Sequence, residues 1–279
     1  MDPRPVITLL TDFGHQDPFV GIMKGVVLGV CPNAVLVDLC HDTAAYDVLI
    51  AGFLLQSAVA FFPAGTIHVA VVDPGVGGPR RPILAHIDDQ LFVAPDNGLL
   101  SYPMAHGTIQ TVRAITSREY LLQPVSATFH GRDVFAPVAG HLARGVPPAR
   151  FGPEIRDAIR LPIPQPRSDA AGGLSGEIMR IDRFGNCITN IARKDIEIFA
   201  GGAGGVRVLV NGRIVGVLVQ FFGEAGPGGR GAIIGSAGYL ELFADQENLA
   251  RQWGVVPGAT VRLEKDVGPP PGPSSRISG

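Results

Sequence analysis

Three apolar runs early in the chain each stop at an aspartate beside a glycine turn. Val6-Ile7-Thr8-Leu9-Leu10 gives way to Thr11-Asp12-Phe13-Gly14, with Asp17 just beyond. Ile67-His68-Val69-Ala70-Val71-Val72 gives way to Asp73-Pro74-Gly75, and Leu91-Phe92-Val93-Ala94 to Pro95-Asp96-Asn97-Gly98. Such runs read as buried strands. Helix signals lie between them. Asp17-Pro18 fits an N-cap and first helical residue, with the helix running through Met23 and Val27 and stopping before Pro32. A short strand follows from Ala34 to Asp38. Asp47 can cap a helix ending near Pro63-Ala64-Gly65, and Asp133 one through Val138 and Leu142, closed by Gly145. This alternation predicts an α/β fold with a mostly parallel sheet and helices on both faces. Ligands bind outside the carboxyl ends of such strands. The acidic turns therefore predict a crevice with negative walls, suited to a polar or cationic small molecule rather than a phosphate.

The pattern changes near Leu161. Pro162, Pro164, Pro166 and Ala171-Gly172-Gly173 read as a linker. Beyond it, Val206 to Val210, Asn211-Gly212 and Arg213-Ile214-Val215 form a hairpin signal, because Asn-Gly suits the left-handed positions of a type I′ turn. Glu177 to Ile181 and Ala259 to Leu263 read as further strands. The expected organisation is an N-terminal α/β domain over 1–161, a linker over 162–173, a β-rich domain (a small barrel or sandwich) over 174–265 and a disordered Gly-, Pro- and Ser-rich tail over 266–279.

Charge excludes some partners. Lys and Arg number 23 against 25 Asp and Glu, with no basic stripe, which argues against nucleic acid and anionic membrane. Cys31, Cys40 and Cys187 match no zinc spacing and no disulfide framework, which points to a reducing cytoplasm. Met1-Asp2-Pro3-Arg4-Pro5 lacks the charged-then-apolar order of a signal peptide. Val48 to Phe62, interrupted by Gln56 and Ser57, falls short of the ~20 residues that span a bilayer and reads as a buried helix. H-E-x-x-H, G-x-S-x-G and Walker patterns are missing from the sequence.

Several residues carry chemistry, each with a plainer alternative. Asp12 can accept two hydrogen bonds from a vicinal diol, or serve as a turn residue taking local backbone amides. Asp17 is explained by capping. Gly75-Val76-Gly77-Gly78-Pro79-Arg80 follows a strand like a dinucleotide loop, but Arg80 stands where the third glycine belongs. In Thr128-Phe129-His130-Gly131-Arg132-Asp133, His130 can act as a general base near neutral pH, or be a satisfied polar residue beside a surface Arg132. In Ile181-Asp182-Arg183-Phe184-Gly185-Asn186, Asp182 and Asn186 can face a ligand with Phe184 as a stacking plate; the alternative is a turn or bulge.

In order along the chain, Leu10-Thr11-Asp12-Phe13-Gly14, Asp17-Pro18-Phe19-Val20-Gly21 with Met23-Lys24-Gly25, Val72-Asp73-Pro74-Gly75-Val76-Gly77, Ala94-Pro95-Asp96-Asn97-Gly98, Thr128 to Asp133, Asp182 to Asn186 with Thr189-Asn190, and Gly235-Ser236-Ala237-Gly238-Tyr239-Leu240-Glu241 resemble the motifs of one family. That family is the S-adenosylmethionine (SAM) hydroxide adenosyltransferases, the hydrolase relatives of fluorinase and chlorinase. The resemblance runs from about Val6 to Leu263. It implies an N-terminal α/β domain, a C-terminal β-barrel and a homotrimer, with SAM between the N-domain of one subunit and the C-domain of its neighbour. The implied reaction is attack of water or hydroxide on the ribose 5′ carbon, giving adenosine and L-methionine without cofactor or metal.

The resemblance also implies roles. The family's Asp-Arg-His triad falls on Asp73, Arg80 and His130, with Arg81 leaving the register open by one. Asp12 holds the ribose hydroxyls, and Asp17 and Asp182 hold the methionine amine. Phe184 and Asn186 contact the adenosine side, with Tyr46 and Phe129 as apolar walls. Ser236 falls near the methionine carboxylate and the Ala244 segment near the adenine edge. Halogenases place a serine where this chain has Gly131 and tyrosines where it has His130 and Asp73, departures that argue against halogenation. The competing functions are a non-catalytic binder of SAM or adenosine, a SAM-dependent halogenase relative and a metal-dependent hydrolase built on Asp and His.

Overall fold

The computed structural model describes residues 4–170, 172–201 and 205–265. The chain divides into two compact units, Met1–Ile163 and Pro164–Gly279. The tail expected to be disordered, and Met1 to Pro3 of the leader reading, lie outside the described residues.

Unit 1 runs β1 (Val6–Thr11), α1 (Phe19–Val30), β2 (Val35–Cys40), α2 (Val48–Val59), β3 (Ile67–Val71), β4 (Pro82–Ile87), β5 (Gln90–Pro95), α3 (Ser101–His106), β6 (Ile109–Ala114) and α4 (Ala136–Ala143). Its six-stranded sheet has the order β2-β1-β3-β5-β4-β6. β1 pairs in parallel with β2 and β3, and β3 with β5, while β4 runs antiparallel to β5 and β6. Side chains alternate between faces along each strand. Ile7, Leu9, Val69, Val71 and Val93 pack with Met23 and Val27 of α1 and Val138 and Leu142 of α4. Leu10, Ala70, Val72, Phe92 and Ala94 pack with Ala51 and Leu55 of α2 and Met104 of α3. The mostly parallel sheet with helices on both faces is thus as the sequence predicts. The carboxyl ends of β1 and β3 deliver the Asp12 and Asp73 turns.

Three local expectations need correction. Asp17 does not cap α1: Pro18 occupies that position without a side-chain cap bond, and its carbonyl accepts from Ile22 N–H at 2.9 Å. α2 stops at Val59, short of Pro63, where Gln90 Nε2 donates to the carbonyls of Val59 and Phe62 and turns the chain away. Asp133 lies inside a π-helical turn, Gly131–Phe135, ahead of α4. Its carboxylate is taken by Arg132 and the Ser126 N–H rather than by a helix start. Asp47 does cap α2, accepting from Ile50 N–H at 3.0 Å.

In unit 2, β7 (Arg167–Ser168) lies within the proline-rich stretch and pairs with β8 (Leu174–Ile181). There follow β9 (Cys187–Ala192), α5 (Arg193–Ala200), β10 (Val206–Val210), β11 (Arg213–Val219), β12 (Arg230–Ile234), β13 (Tyr239–Ala244), α6 (Leu249–Trp253) and β14 (Thr260–Lys265). Seven strands close in the order β14-β10-β11-β12-β13-β9-β8, with β14 pairing back to β8. Closure leaves these strands no free edge. The β10–β11 turn has Asn211 at φ 48° and Gly212 at φ 77°, the left-handed pair that Asn-Gly favours. At the barrel wall, the guanidinium of Arg213 stacks on Trp253 at 4.0 Å from the ring centre, with Arg230 at 5.1 Å. No helix among the described residues is long and apolar enough to cross a membrane.

One buried polar chain crosses the unit 1 sheet. Thr8 Oγ1 lies 2.7 Å from His68 Nδ1, and His68 Nε2 lies 2.6 Å from Gln90 Oε1. Burial pushes the His68 pKa down to about 4, against a smaller opposing effect of the Gln90 bond. The unfolded chain therefore binds this proton more readily, so stability falls as pH drops from about 6.5 to about 4. The full cost below that window is about 3 kcal/mol, at roughly 1.4 kcal/mol for each tenfold loss of proton affinity on folding. Urea unfolding at pH 7 and pH 4 should show this loss, and His68→Asn should shrink the difference by a similar amount. An unchanged pH dependence in His68→Asn would contradict the account.

Candidate active site

The turn after β3 bends back on itself, with Val76 N–H bonded to the Asp73 carbonyl and Gly78 N–H to the Gly75 carbonyl. β4 follows directly, without a helix, so the dinucleotide-loop reading of Gly75 to Arg80 is overturned. Gly77, at φ 76°, makes the essential approach: a Cβ there would overlap the Ala127 carbonyl. That contact brings the turn against the segment preceding His130. Arg80 Nε donates to Asp73 Oδ1 at 3.0 Å and Oδ2 at 2.9 Å, and Arg80 Nη2 donates to Asp73 Oδ2. Arg80 Nη2 also lies 2.6 Å from His130 Nδ1. The Arg80 and Asp73 side chains are only 8 % and 4 % exposed. Arg80 Nη1 is buried and has no hydrogen-bond partner. Arg81 is engaged elsewhere, by Asp96 at 2.6 Å and Asp157 at 2.9 Å, so Arg80 is the arginine that meets Asp73 and His130.

His130 is electrostatically set to be neutral. Burial, then the positive charge of Arg80, push its pKa below the usual imidazole value, while Asp73, Asp133 and the Ser126 backbone pull the other way. A guanidinium can only donate, so the Nδ1 lone pair accepts from Arg80. The ring begins at the π turn, an irregularity that often marks functional positions. Behind it Met23, Phe129 and Phe13 crowd Gly131, where a Cβ would lie 3.1–3.4 Å from their side chains.

The remaining candidates of unit 1 fall into place unevenly. Asp12 Oδ2 accepts from the Tyr46 N–H at 2.9 Å, so these two are brought together. Tyr46 holds φ 68°, unusual for a bulky residue, and leaves its ring 72 % exposed. Phe129 joins Phe13 and Phe19 in an edge-to-face cluster. Asp17 is exposed just before α1. The expectation of uniformly negative walls needs correction. Asp73 is neutralised by Arg80 and Asp96 by Arg81. Among the described residues, Asp12 has no ion-pair partner, and Arg80 contributes a buried cation.

In unit 2, Asp182 builds the β8–β9 turn. Its Oδ1 accepts from the N–H groups of Phe184 and Asn186, and its Oδ2 from Asn186 Nδ2 at 3.0 Å. The turn alternative therefore describes the local structure, with Gly185 at φ 89° pressed against Asn248. The same turn projects Phe184, 74 % exposed, to one wall of a hollow of about 580 Å³. Asn186 and Ala244 line that hollow too, together with Phe222 and Asn248. Ser236 sits apart from it, exposed in the β12–β13 turn.

Comparison with known proteins bears on this geometry. Residues 7–152 match the SAM hydroxide adenosyltransferase N-terminal domain, and residues 176–262 the C-terminal domain. The chain belongs to the SAM hydroxide adenosyltransferase family. An (R)-S-adenosyl-L-methionine hydrolase of Salinispora tropica is 37 % identical over 94 % of this chain and 99 % of its own length. One from Thermus thermophilus is 38 % identical over 93 % and 99 %. A fluorinase of Actinoplanes is 30 % identical over 94 % and 98 %. The crystal structure of a conserved protein from Thermotoga maritima superposes with a TM-score of 0.87 at 32 % identity, covering 92 % of this chain and 99 % of that one.

The sequence motifs do not single out Phe222 and Asn248. Both had weak signals: Phe221-Phe222 follows an apolar strand, and Asn248 precedes an apolar helix start, where it caps α6 by accepting from Arg251 N–H at 2.7 Å. The motifs also pass over His41, which lies 2.8 Å from Thr11 Oγ1. The clearest electrostatic consequence concerns His130. Replacing Arg80 with Gln removes the repelling charge and leaves Asp73 and Asp133, so the His130 pKa should rise. Proton NMR titration of the imidazole reads this, and a pKa that stays put or falls would contradict the assigned cause.

Proposed function

We propose that this chain hydrolyses S-adenosyl-L-methionine to adenosine and L-methionine. The carrying observation is the buried, unpartnered Nη1 of Arg80, held beside His130 by Asp73, in a chain whose near-full-length relatives include SAM hydrolases. A buried donor without a partner carries a desolvation cost that a bound oxygen would relieve. Water or hydroxide at Nη1 is the oxygen that fits the reaction.

Water oxygen forms a bond to the ribose 5′ carbon while the bond from that carbon to sulfur breaks. The electron pair leaves with sulfur as the neutral thioether of methionine, so the leaving group requires no acid. The nucleophile must lose a proton. Arg80 stabilises developing hydroxide by preorganised charge, a type of contribution that is about 10²–10³ in rate for one such donor. His130 steers Arg80 while its Nδ1 accepts from Nη2, and receives the water proton once that bond gives way. Asp73 fixes the guanidinium plane through both carboxylate oxygens. Asp12, with Oδ2 tied to Tyr46 N–H, offers Oδ1 to a ribose hydroxyl. Asp17 and Asp182 supply negative charge for the methionine ammonium, and Ser236 a hydroxyl for its carboxylate. Phe184, Asn186 and Ala244, already grouped round one hollow, receive the adenosine side. Tyr46 and Phe129 give apolar walls.

The same proposal includes a cofactor-free, metal-free reaction, a homotrimer sharing each site between the N-terminal unit of one subunit and the C-terminal unit of a neighbour, and a cytoplasmic setting. The free thiols Cys31, Cys40 and Cys187 support a reducing compartment. The division of candidate residues between two compact units supports a shared site.

Two experiments test this. Incubation with SAM and chelator in heavy-oxygen water should release adenosine and methionine in equal amounts, with label in the adenosine 5′-hydroxyl. Intact SAM after hours would instead favour a binding protein, and loss of activity in chelator a metal enzyme. Arg80→Ala and Asp182→Ala should each be inactive alone. Randomly mixed trimers of the two should regain about a quarter of the sites, since each site then draws one intact half from each variant. No recovery in verified mixed trimers would place both halves in one subunit.

A further inference from the structure

Behind the Asp12 turn lies a chain of polar contacts, buried at Thr11 and His41 and open to solvent at Asp38 and Lys24, that the proposed chemistry does not use. Thr11 closes β1 and is fully buried, as is His41 just past β2. Thr11 Oγ1 lies 2.8 Å from His41 Nδ1, and His41 Nε2 lies 2.9 Å from Asp38 Oδ1. Lys24 of α1 donates to Asp38 Oδ2 at 2.6 Å. Burial pushes the Asp38 carboxyl up, but hydrogen bonds from His41 and Lys24 together hold it below its ordinary value. An ionised Asp38 accepts only, so His41 Nε2 carries a proton toward it, and in the neutral ring Nδ1 accepts from the Thr11 hydroxyl.

The geometry that brings these groups into line is a strand irregularity. β1 and β2 pair Leu9 with Asp38 and Leu10 with Cys40, so Leu39 is bypassed. Such a bulge re-aims the side chains that follow it. Further bonds then tie the end of β2 to the Asp12 turn. The His41 carbonyl accepts from Gly14 N–H at 2.8 Å, and Thr43 Oγ1 donates to the Thr11 carbonyl at 2.7 Å. Thr11 Oγ1 itself accepts from Phe13 N–H at 3.3 Å, so its hydroxyl brackets Asp12 from behind.

We propose that Thr11, His41 and Asp38, anchored by Lys24, form a positioning relay that holds Asp12 in the orientation that recognises a ribose diol. Thr11 and His41 are sealed from solvent, and their donors and acceptors satisfy one another. What they fix is the backbone on both sides of Asp12, from Thr11 to Gly14, while Tyr46 N–H fixes one carboxylate oxygen. The remaining oxygen is thereby aimed without freedom to rotate, and a small misplacement of such a group is costly. The inference rests on the reading of Asp12 as the ribose-binding carboxylate, and its test separates the two.

The measurement is calorimetric binding of adenosine and 2′-deoxyadenosine to the whole protein, expressed as the ratio of affinities. Asp12→Ala should lower the wild-type preference for adenosine by roughly tenfold, the effect of one hydrogen bond to a charged group. Thr11→Val, which keeps the buried shape of Thr11 but not its hydroxyl, should lower it similarly, and Thr11→Ser should restore it. His41→Asn provides a second break in the relay should Thr11→Val fail to fold. Added to Asp12→Ala, either break should reduce the ratio no further. A Thr11→Val or His41→Asn protein with the wild-type ratio, alongside a collapsed ratio in Asp12→Ala, overturns the relay alone. An unchanged ratio in Asp12→Ala overturns the ribose assignment and the relay's purpose with it.

Discussion

The Arg80 guanidinium sits out of water between a carboxylate and an imidazole, and much of unit 1 is arranged to keep it there. Burial of a cation is costly unless an anion and hydrogen bonds accompany it. Asp73 answers the charge, and His130 Nδ1 takes a second donor from Nη2. Phe135 of the π turn lies under the guanidinium, its ring centre 5.5 Å away. Gly77 makes the arrangement possible, since any larger residue would hold the β3–β4 turn off the Ala127 segment. One donor, Nη1, is left buried without a partner, the feature on which the proposed role of Arg80 rests.

The two units carry candidate residues of different chemistry. Unit 1 carries the charged Asp73–Arg80–His130 cluster where parallel strands end, the place at which open α/β sheets commonly bind ligands. Unit 2 carries an aromatic-edged hollow on a closed barrel, suited to a flat base. In both, an aspartate accepts backbone N–H groups, from its own turn for Asp182 and from a distant segment for Asp12. Asp182 is held by the amides of Phe184 and Asn186, and Asp12 by that of Tyr46. Holding backbone amides with some lone pairs leaves others on the same carboxylate available to a ligand, so the turn and ligand readings are compatible.

The fold was legible because its signals are local. Apolar runs of strand length, the Asp47 cap and the Asn211-Gly212 turn act over a few residues, and each appears where the pattern puts it. Charge pairing was not legible. Asp73 and Asp96 look alike in sequence, yet Arg80 and Arg81, adjacent in the chain, point to different acids and cancel both. The π turn resembles an ordinary helix start in sequence because Asp133 fits a cap by type, while its partners Arg132 and Ser126 decide otherwise. The His41 contacts depend on a bulge, which no composition reveals.

The chain's single tryptophan, Trp253, is clasped by Arg213 and Arg230 at the barrel wall. Its emission therefore reports on one half of the molecule. The buried charge of Arg80, and the buried His68, lie in the half that carries no indole. A melting curve followed by fluorescence would track the barrel and pass silently over the Arg80 cluster, whereas circular dichroism of the helices, most of which belong to the other unit, would see that unit come apart.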